Sequence, residues 1–384
     1  MPTAFFRRTG LLLALLVVLF SGCSIRPLKL GVALPLSGAG TARGQEILNA
    51  VMLAVDDVNK AGGVKGRKVE LAIQDDRDLP EQGREAAQKL IAQDVIGVIG
   101  HYSSDVTLEA LPVYVEAQTA LISPSVTLSK VPHEGQFFFR TIGDNRLQTH
   151  AVAQFIRVGQ YQRVAVVSNS SLFGKDLAET VMQTLQKETG PVLKQYEDQP
   201  ELMDILLKDL PELVFYAGGY RDAALFLQRL REKSQTIDFV GGNSLHDPEF
   251  IRLAGMVNTQ RSWIISDVPP LDSDFASRYQ QRFGQPGLFS PYAYDATRLL
   301  LQAAEGARGK PAGVTEALRR MASYEGLTGS MTVNPGLGAT ALQSYEILSI
   351  SPQGSFELFD PENAAPRFGA PGQIAGTWAR MALP

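Results

Sequence analysis

The sequence predicts an α/β fold of two lobes, each built around a mostly parallel sheet. Short β-branched runs alternate with helical patterns along the chain, which is typical of βαβ units. The alternation occurs in two successive series, before and after Gly143. The 384 residues exceed one ordinary core, since domains average about 150 residues, so two lobes also fit the length.

The first series begins at a predicted strand over residues 29–34. A helix follows, because six apolar residues lie on one face at helical spacing: Ile47, Leu48, Val51, Met52, Val55 and Val58. Gly62 and Gly63 end this helix. Further strands are predicted over 69–73, 95–99 and 121–123. The first two of these are continuous apolar runs, typical of strands buried on both faces.

The second series starts after Gly143. Strands are predicted over four runs with helices between them: 164–167, 213–217, 239–241 and 263–265. The stretch 271–321 is predicted to be mostly helical, including 294–306, and 343–350 with 355–359 to form a closing hairpin. Residues 361–384 are rich in proline, glycine and alanine, and we expect a surface extension there.

The N-terminal segment, residues 1–22, has the pattern of an export signal. Two arginines precede the apolar run 11–20, which is too short for a spanning helix of about 20 residues. The run leads to Cys23, the single cysteine, and 19–23 resembles the lipobox of bacterial lipoproteins. We therefore expect an exported protein anchored through lipidated Cys23. The alternative is a plain secretory signal with an incidental cysteine.

Composition and motifs exclude several function classes. The 36 basic and 40 acidic residues are spread along the chain, which argues against a nucleic-acid partner. One cysteine excludes an internal disulfide and a cysteine-rich zinc site. The four histidines lack metal-ligand spacing, and no nucleophile elbow or phosphate loop occurs. Gly38, Gly40 and Gly44 miss the dinucleotide spacing by one position. We expect no metal, no cofactor and no enzymatic activity.

Polar residues follow several predicted strands, where ligands of open α/β sheets bind. These segments carry hydroxyls, amides and glycines: 100–104, 123–127, 168–170, 218–220 and 242–244. These segments favour a small polar ligand, whose carboxylate could accept hydrogen bonds from the backbone N–H groups at helix starts. The alternative is that the segments serve only as helix caps and turns. We expect His101 to be buried and hydrogen-bonded, and Asp75 and Asp76 to form a solvated strand end.

Seven short motifs match one family in combination and order. They are GVALPLSG at 31–38, DVNKAGGVKG at 57–66, DD at 75–76, VIGH at 98–101, ISPS at 122–125, FRT at 139–141 and YAGGY at 216–220. The chain thereby resembles the solute-binding proteins of branched-chain amino-acid ABC transporters, the leucine-binding type of class I periplasmic binding proteins. The family's usual cysteine pair is absent, with Arg77 and Ser103 at those positions.

The resemblance implies the class I fold of that family. This is an α/β architecture of two Rossmann-like lobes with central, mostly parallel sheets, joined by three inter-lobe crossovers. Lobe 1 would comprise residues 24–143 and 268–334, and lobe 2 residues 144–267 and 335–360. A ligand would bind in the cleft between the lobes, which would close about a hinge.

The same resemblance implies the ligand contacts of lobe 1. Ser104, with the backbone of Tyr102 and Ser103, would bind the ligand carboxylate. Ser125 would offer its carbonyl to the ligand amine, and Thr127 its hydroxyl and N–H to the ligand. Buried polar groups of a closed cleft need such partners.

On lobe 2, Phe173 and Tyr220 would fold over the ligand as the cleft shuts. The chain departs from the family at Asn243, where amino-acid binders usually place a carboxylate against the ligand ammonium. Arg43 stands where leucine binders often have an aromatic side chain. Pointing into the cleft, it would favour an anionic or polar ligand; the alternative is that it points to solvent.

We therefore expect a monomeric solute receptor that delivers a small, amino-acid-like ligand to an ABC permease from outside the cytoplasm. Two other functions remain open. One is a sensor that reports its ligand to a signalling partner. The other is a lipoprotein that has lost its ligand and serves as an interaction module. Retention of Ser104, Thr127 and Tyr220 argues against this last function.

Overall fold

A computed structural model describes residues 26–187, 192–267, 272–334, 338–341 and 345–359. The predicted export signal 1–22, the lipidation site Cys23 and the extension 361–384 lie outside the described residues. No helix in the described ranges is long and apolar enough to cross a bilayer.

The first series forms one parallel sheet. Its strands are β1 (Leu28–Leu34), β2 (Val69–Asp75), β3 (Val98–Gly100), β4 (Leu121–Ser123) and β5 (Phe138–Arg140). They are ordered β2-β1-β3-β4-β5. The strands predicted at 29–34, 69–73 and 121–123 are confirmed. The prediction 95–99 was too long, because Val95 and Ile96 are buried without belonging to the strand. The apolar pattern did not predict β5, which has three residues.

Three helices connect these strands: α1 (Thr41–Lys60), α2 (Pro80–Ile91) and α3 (Ser104–Glu116). The predicted apolar face of α1 is confirmed, with Ile47, Val51 and Val55 buried. The start of α1 lies very close to the end of β1. A Cβ on Gly44 would come within 2.0 Å of the carbonyl oxygen of Pro35, so this approach requires glycine.

The second series forms five parallel strands. These are β6 (Arg163–Ser168), β7 (Val192–Glu197), β8 (Leu213–Ala217), β9 (Asp238–Gly241) and β10 (Ser262–Asp267). The helices of this series are α4 (Asn145–Val158), α5 (Leu172–Lys187), α6 (Leu202–Leu206), α7 (Tyr220–Lys233) and α8 (Pro248–Ala254). All four predicted strands are confirmed. The sequence analysis missed β7, an edge strand whose side chains are half-buried or exposed and so show no apolar run.

The predicted helical stretch and hairpin follow. The helices are α9 (Ser273–Phe283), α10 (Ser290–Gly306) and α11 (Pro311–Arg320). A small antiparallel sheet that was not predicted comes next: β11 (Ser323–Gly326), β12 (Gly329–Asn334) and β13 (Gly338–Ala341). The predicted hairpin is confirmed as β14 (Tyr345–Ile350) and β15 (Phe356–Leu358). Because β14 pairs antiparallel with β10, the second sheet has the order β15-β14-β10-β9-β8-β6-β7.

Each of the two sheets packs with or contains elements from distant parts of the chain. Helices α9 to α11 share a core with β1 and α1, where Phe275, Tyr292 and Leu318 are buried. Strands β14 and β15 return to the second sheet. The chain therefore passes three times between the sheets, and the predicted fold class is confirmed. The lobe boundaries after residues 143, 267 and 334 stay predictions.

Candidate functional site

A cavity of about 260 Å³ lies between the two sheets, at the carboxyl ends of their strands. All nine predicted contact residues line it: Arg43, Tyr102, Ser103, Ser104, Ser125, Thr127, Phe173, Tyr220 and Asn243. The fold thus brings together residues that the sequence separates by as many as 200 positions. Their roles toward a ligand stay predictions.

The first-sheet wall of the cavity contains two hydroxyls without a partner. Ser104 and Thr127 are 4% and 2% exposed, and neither hydroxyl makes a hydrogen bond with the described residues. Ser104 begins α3, where backbone N–H groups lack intrahelical acceptors. The Ser125 hydroxyl donates to the Tyr102 carbonyl over 2.8 Å and ties the two loops together. This wall can receive a carboxylate.

Arg43 points into the cleft, so its alternative placement in solvent is wrong. Its Nη1 lies 2.8 Å from Glu46 Oε2, and its Nη2 lies 2.7 Å from Asp247 Oδ2. Burial alone would lower the pKa of Arg43, but these carboxylates and Tyr102 hold it above its usual range. Two carboxylates thus already pair with the guanidinium, whereas its Nε–H is buried and has no hydrogen-bond partner among the described residues.

Tyr220 and Arg221 begin α7 on the second-sheet side. Arg221 Nε donates to the Tyr220 hydroxyl over 3.1 Å, with the guanidinium 5.4 Å from the centre of that ring. Arg221 Nη2 also donates to the Ala39 carbonyl, 3.1 Å away at the start of the first-sheet wall. Arg221 and Arg43 therefore each connect one side of the cleft to the other.

Asn243 is 2% exposed and does not carry the carboxylate usual in the resembling family. Its Nδ2 donates to Asp267 Oδ1 over 3.2 Å, and its backbone N–H donates to Gln148 Oε1 over 3.3 Å. Asp267 also accepts a hydrogen bond of 2.6 Å from the Tyr292 hydroxyl, and burial raises the pKa of Asp267. Asn243 thus contacts a carboxylate, that of Asp267, and does not carry one itself.

Several lining residues were missed by the sequence analysis. They include Asp78, Asp105, Asp222 and Phe289. Phe289 directly precedes α10, and no local sequence pattern marks it as a cavity residue. At the position of the missing cysteine pair, the Ser103 hydroxyl hydrogen-bonds the Asp78 carboxyl, whereas Arg77 is exposed.

The solvated strand end predicted at Asp75 and Asp76 is wrong for Asp76. Asp76 is 1% exposed, and its Oδ2 lies 2.7 Å from His101 Nδ1. His101 Nε2 lies 3.0 Å from the Tyr114 hydroxyl, so the prediction of a buried, hydrogen-bonded histidine is confirmed. Within the part of the chain that the structure describes, no three metal-binding side chains gather in a possible metal site.

Comparison with known proteins gives the family. The model of a family described as periplasmic binding protein matches residues 27–354. The chain belongs to this periplasmic binding protein family. Its relatives include the Leu/Ile/Val-binding protein homolog 1 of Brucella melitensis, 27% identical over 330 residues, which are 82% of this chain and 88% of the relative. The leucine-, isoleucine-, valine-, threonine- and alanine-binding protein of Pseudomonas aeruginosa is 26% identical over 79% of this chain and 85% of its own.

Solved structures of other binding proteins share this fold. The leucine binding protein LivK of Thermotoga maritima superposes with a TM-score of 0.77, at 22% identity, over 87% of this chain and 98% of its own. LivJ of Streptococcus pneumoniae, in complex with isoleucine, has a TM-score of 0.76 at 20% identity, over 87% and 99%. The relatives are solute-binding proteins and not enzymes, which confirms the expectation of an exported, non-catalytic binding protein.

Proposed function

We propose that this periplasmic binding protein captures an amino-acid-like ligand in the interlobe cavity for an ABC importer. The observation that carries the proposal is a pair of hydroxyls without a hydrogen-bond partner among the described residues, on two buried residues that line the cavity: Ser104 at the start of α3 and Thr127 after β4. A ligand carboxylate would accept hydrogen bonds from both hydroxyls and from the helix N–H groups. The Ser125 carbonyl would accept from the ligand amine.

The size of the cavity and the relatives support a small metabolite. A cavity of about 150 Å³ accommodates benzene, so about 260 Å³ leaves room for one amino acid. The names of the relatives bring leucine, isoleucine and valine into the candidate class.

Capture would proceed by closure of the lobes. Phe173 and Tyr220 stand opposite Ser104 and Thr127 across the cavity. A ligand that contacts both walls shifts the open–closed equilibrium toward the closed form. The permease would then recognise the closed lobes. The protein would act as a monomer held to the membrane through lipidated Cys23.

Isothermal titration calorimetry tests the binding. The panel comprises the common amino acids, their amides, urea and small organic acids. For a ligand that binds, Thr127→Val and Ser104→Ala should each weaken the affinity about tenfold or more, since each removes a hydrogen bond to a charged group. Thr180→Val is the matched control, because the Thr180 hydroxyl bonds the Asp176 carbonyl within α5. No binding to any compound of the panel would refute the proposal.

A further inference from the structure

The large apolar side chains that line the cavity are all aromatic. They are Tyr102, Phe173, Tyr220 and Phe289, and none of the described lining residues is a valine, leucine, isoleucine or methionine. Tyr102 and Phe289 pack on the core of the first sheet, whereas Phe173 and Tyr220 pack on the cores of the second sheet. The apolar part of a ligand would therefore contact aromatic rings from both sides of the cleft.

Phe289 is fixed in place by several contacts and is 5% exposed. Its ring lies edge-to-face with that of Tyr102, with the ring centres 5.9 Å apart and the ring planes at 70°. Its backbone N–H donates to Glu46 Oε1 over 2.5 Å, and Glu46 Oε2 pairs with Arg43. Glu46 therefore holds the ring of Phe289 and the guanidinium of Arg43 next to each other in the cavity wall.

Each arginine of the cavity lies against one of these rings. The guanidinium of Arg43 is 5.3 Å from the centre of the Phe289 ring, and that of Arg221 is 5.4 Å from the centre of the Tyr220 ring. A cation is attracted to the face of an aromatic ring, because the ring carries negative charge density there. A ligand ring offers these cations such a face, whereas a saturated side chain of equal size only removes water from them.

We propose that the cavity selects a ligand with an aromatic side chain over one with an aliphatic side chain of the same size. Pairs of rings in edge-to-face or offset arrangements are stabilised beyond the area that they bury, and the four lining rings offer such partners. This inference rests on the proposed function, since it takes the carboxylate contacts at Ser104 and Thr127 as given. It adds a substrate class that the names of the relatives do not mention.

Calorimetry with phenylalanine and cyclohexylalanine tests the selection. The two amino acids share one carbon skeleton and one net charge, so the charged residues around the cavity do not distinguish them by charge. Cyclohexylalanine is the more apolar of the two, and burial alone would favour it. Phenylalanine should nevertheless bind at least about threefold more tightly, because only its ring can pair with the lining rings and guanidinium groups.

Substitution of Phe289 tests whether the lining rings cause this preference. Phe289→Leu keeps an apolar side chain but removes the ring, and it should reduce the ratio of the two affinities to less than half of the wild-type value. Phe283→Leu is the matched control, because Phe283 is a half-buried residue of α9 outside the cavity. It should leave the ratio unchanged.

The outcomes separate this inference from the proposed function. A smaller preference in the wild type, or tighter binding of cyclohexylalanine, would overturn the inference, and this comparison decides it even if Phe289→Leu does not fold. An unchanged ratio in folded Phe289→Leu would overturn it as well. If binding of either amino acid still weakens in Thr127→Val, the proposed function stands and only the selection for a ring falls. If neither amino acid binds, the inference falls, and the wider panel then decides the proposed function.

Discussion

At the scale of single residues, burial decides the chemistry of several groups around the cleft. His246 lies beside Arg43, with its Nδ1 3.0 Å from the Ser266 hydroxyl and its ring against Phe356. Burial, followed by the positive charge of Arg43, lowers the pKa of His246 to about 4. The folded protein therefore holds this imidazole neutral where an unfolded chain would protonate it.

This depressed pKa predicts a loss of stability in acid. In the unfolded chain the histidine titrates near 6.5, so between pH 6.5 and 4 the unfolded state binds more protons than the folded state. The stability contributed by neutral His246 is present above pH 6.5 and decreases as the pH falls through 4, by at most about 3 kcal/mol. Urea unfolding at pH 7 and at pH 4 measures this decrease in the free energy of unfolding.

Substitution isolates the contribution of this histidine. His246→Gln should lose less stability than the wild type between the two pH values, whereas His150→Gln, at an exposed position of α4, should follow the wild type. Equal losses in His246→Gln and the wild type would show that another group causes the acid sensitivity.

At the scale of elements, α1 and α8 are joined across the cleft by one ion pair. Arg43 belongs to α1, and Asp247 is the N-cap of α8, where its side chain accepts from the Glu249 N–H. Removing one partner of an isolated buried ion pair costs about 3–5 kcal/mol, and we expect a smaller cost for Asp247 because Arg43 keeps its contact with Glu46. The pair therefore stabilises the contact between α1 and α8.

Asp247→Asn tests the contact between these helices. Asparagine keeps the cap of α8 but removes the charge, so only the ion pair is lost. We expect the ligand-free protein to open, with a larger radius of gyration by small-angle X-ray scattering, and its ligand to bind about tenfold more weakly or worse. Asp272→Asn, an equivalent N-cap substitution on α9, is the control. An unchanged radius and affinity in Asp247→Asn would contradict the role of the pair in closure.

At the scale of the whole molecule, the proposed lipid on Cys23 would keep the folded lobes at the membrane. Cys23 precedes the first described residue by three positions and is the single cysteine. One acyl chain gives marginal membrane binding, so a stable anchor would need more than one chain on the modified terminus.

Fractionation of cells tests this anchor. The wild type should sediment with membranes and show an added acyl mass at residue 23, while Cys23→Ser should appear in the soluble exported fraction. Ser24→Ala, the neighbouring substitution, should behave as the wild type. Membrane association that persists in Cys23→Ser would refute lipid anchoring.

The elements that could be predicted from the sequence were those with a local pattern. Buried parallel strands such as β8 are continuous apolar runs, and α1 shows its buried face by spacing alone. By contrast, β7 at a sheet edge has no such run, because its side chains are exposed or half-buried. The sequences of the short strands β11 to β13 show no apolar run either. The nine cavity residues were predicted from the family resemblance, which did not identify Phe289 or Asp78.

The sequence by itself determined the alternation of strands and helices, the two series that become two sheets, and the polar segments that follow their strands. Only the tertiary structure decided which charges meet. Arg43 contacts the His246 carbonyl 203 positions away, and Asp76, which follows β2, hydrogen-bonds His101, which follows β3. Local periodicity records burial, but the strength of an ionic or hydrogen-bonded contact depends on distance and exclusion of water. Both are set when remote segments pack together.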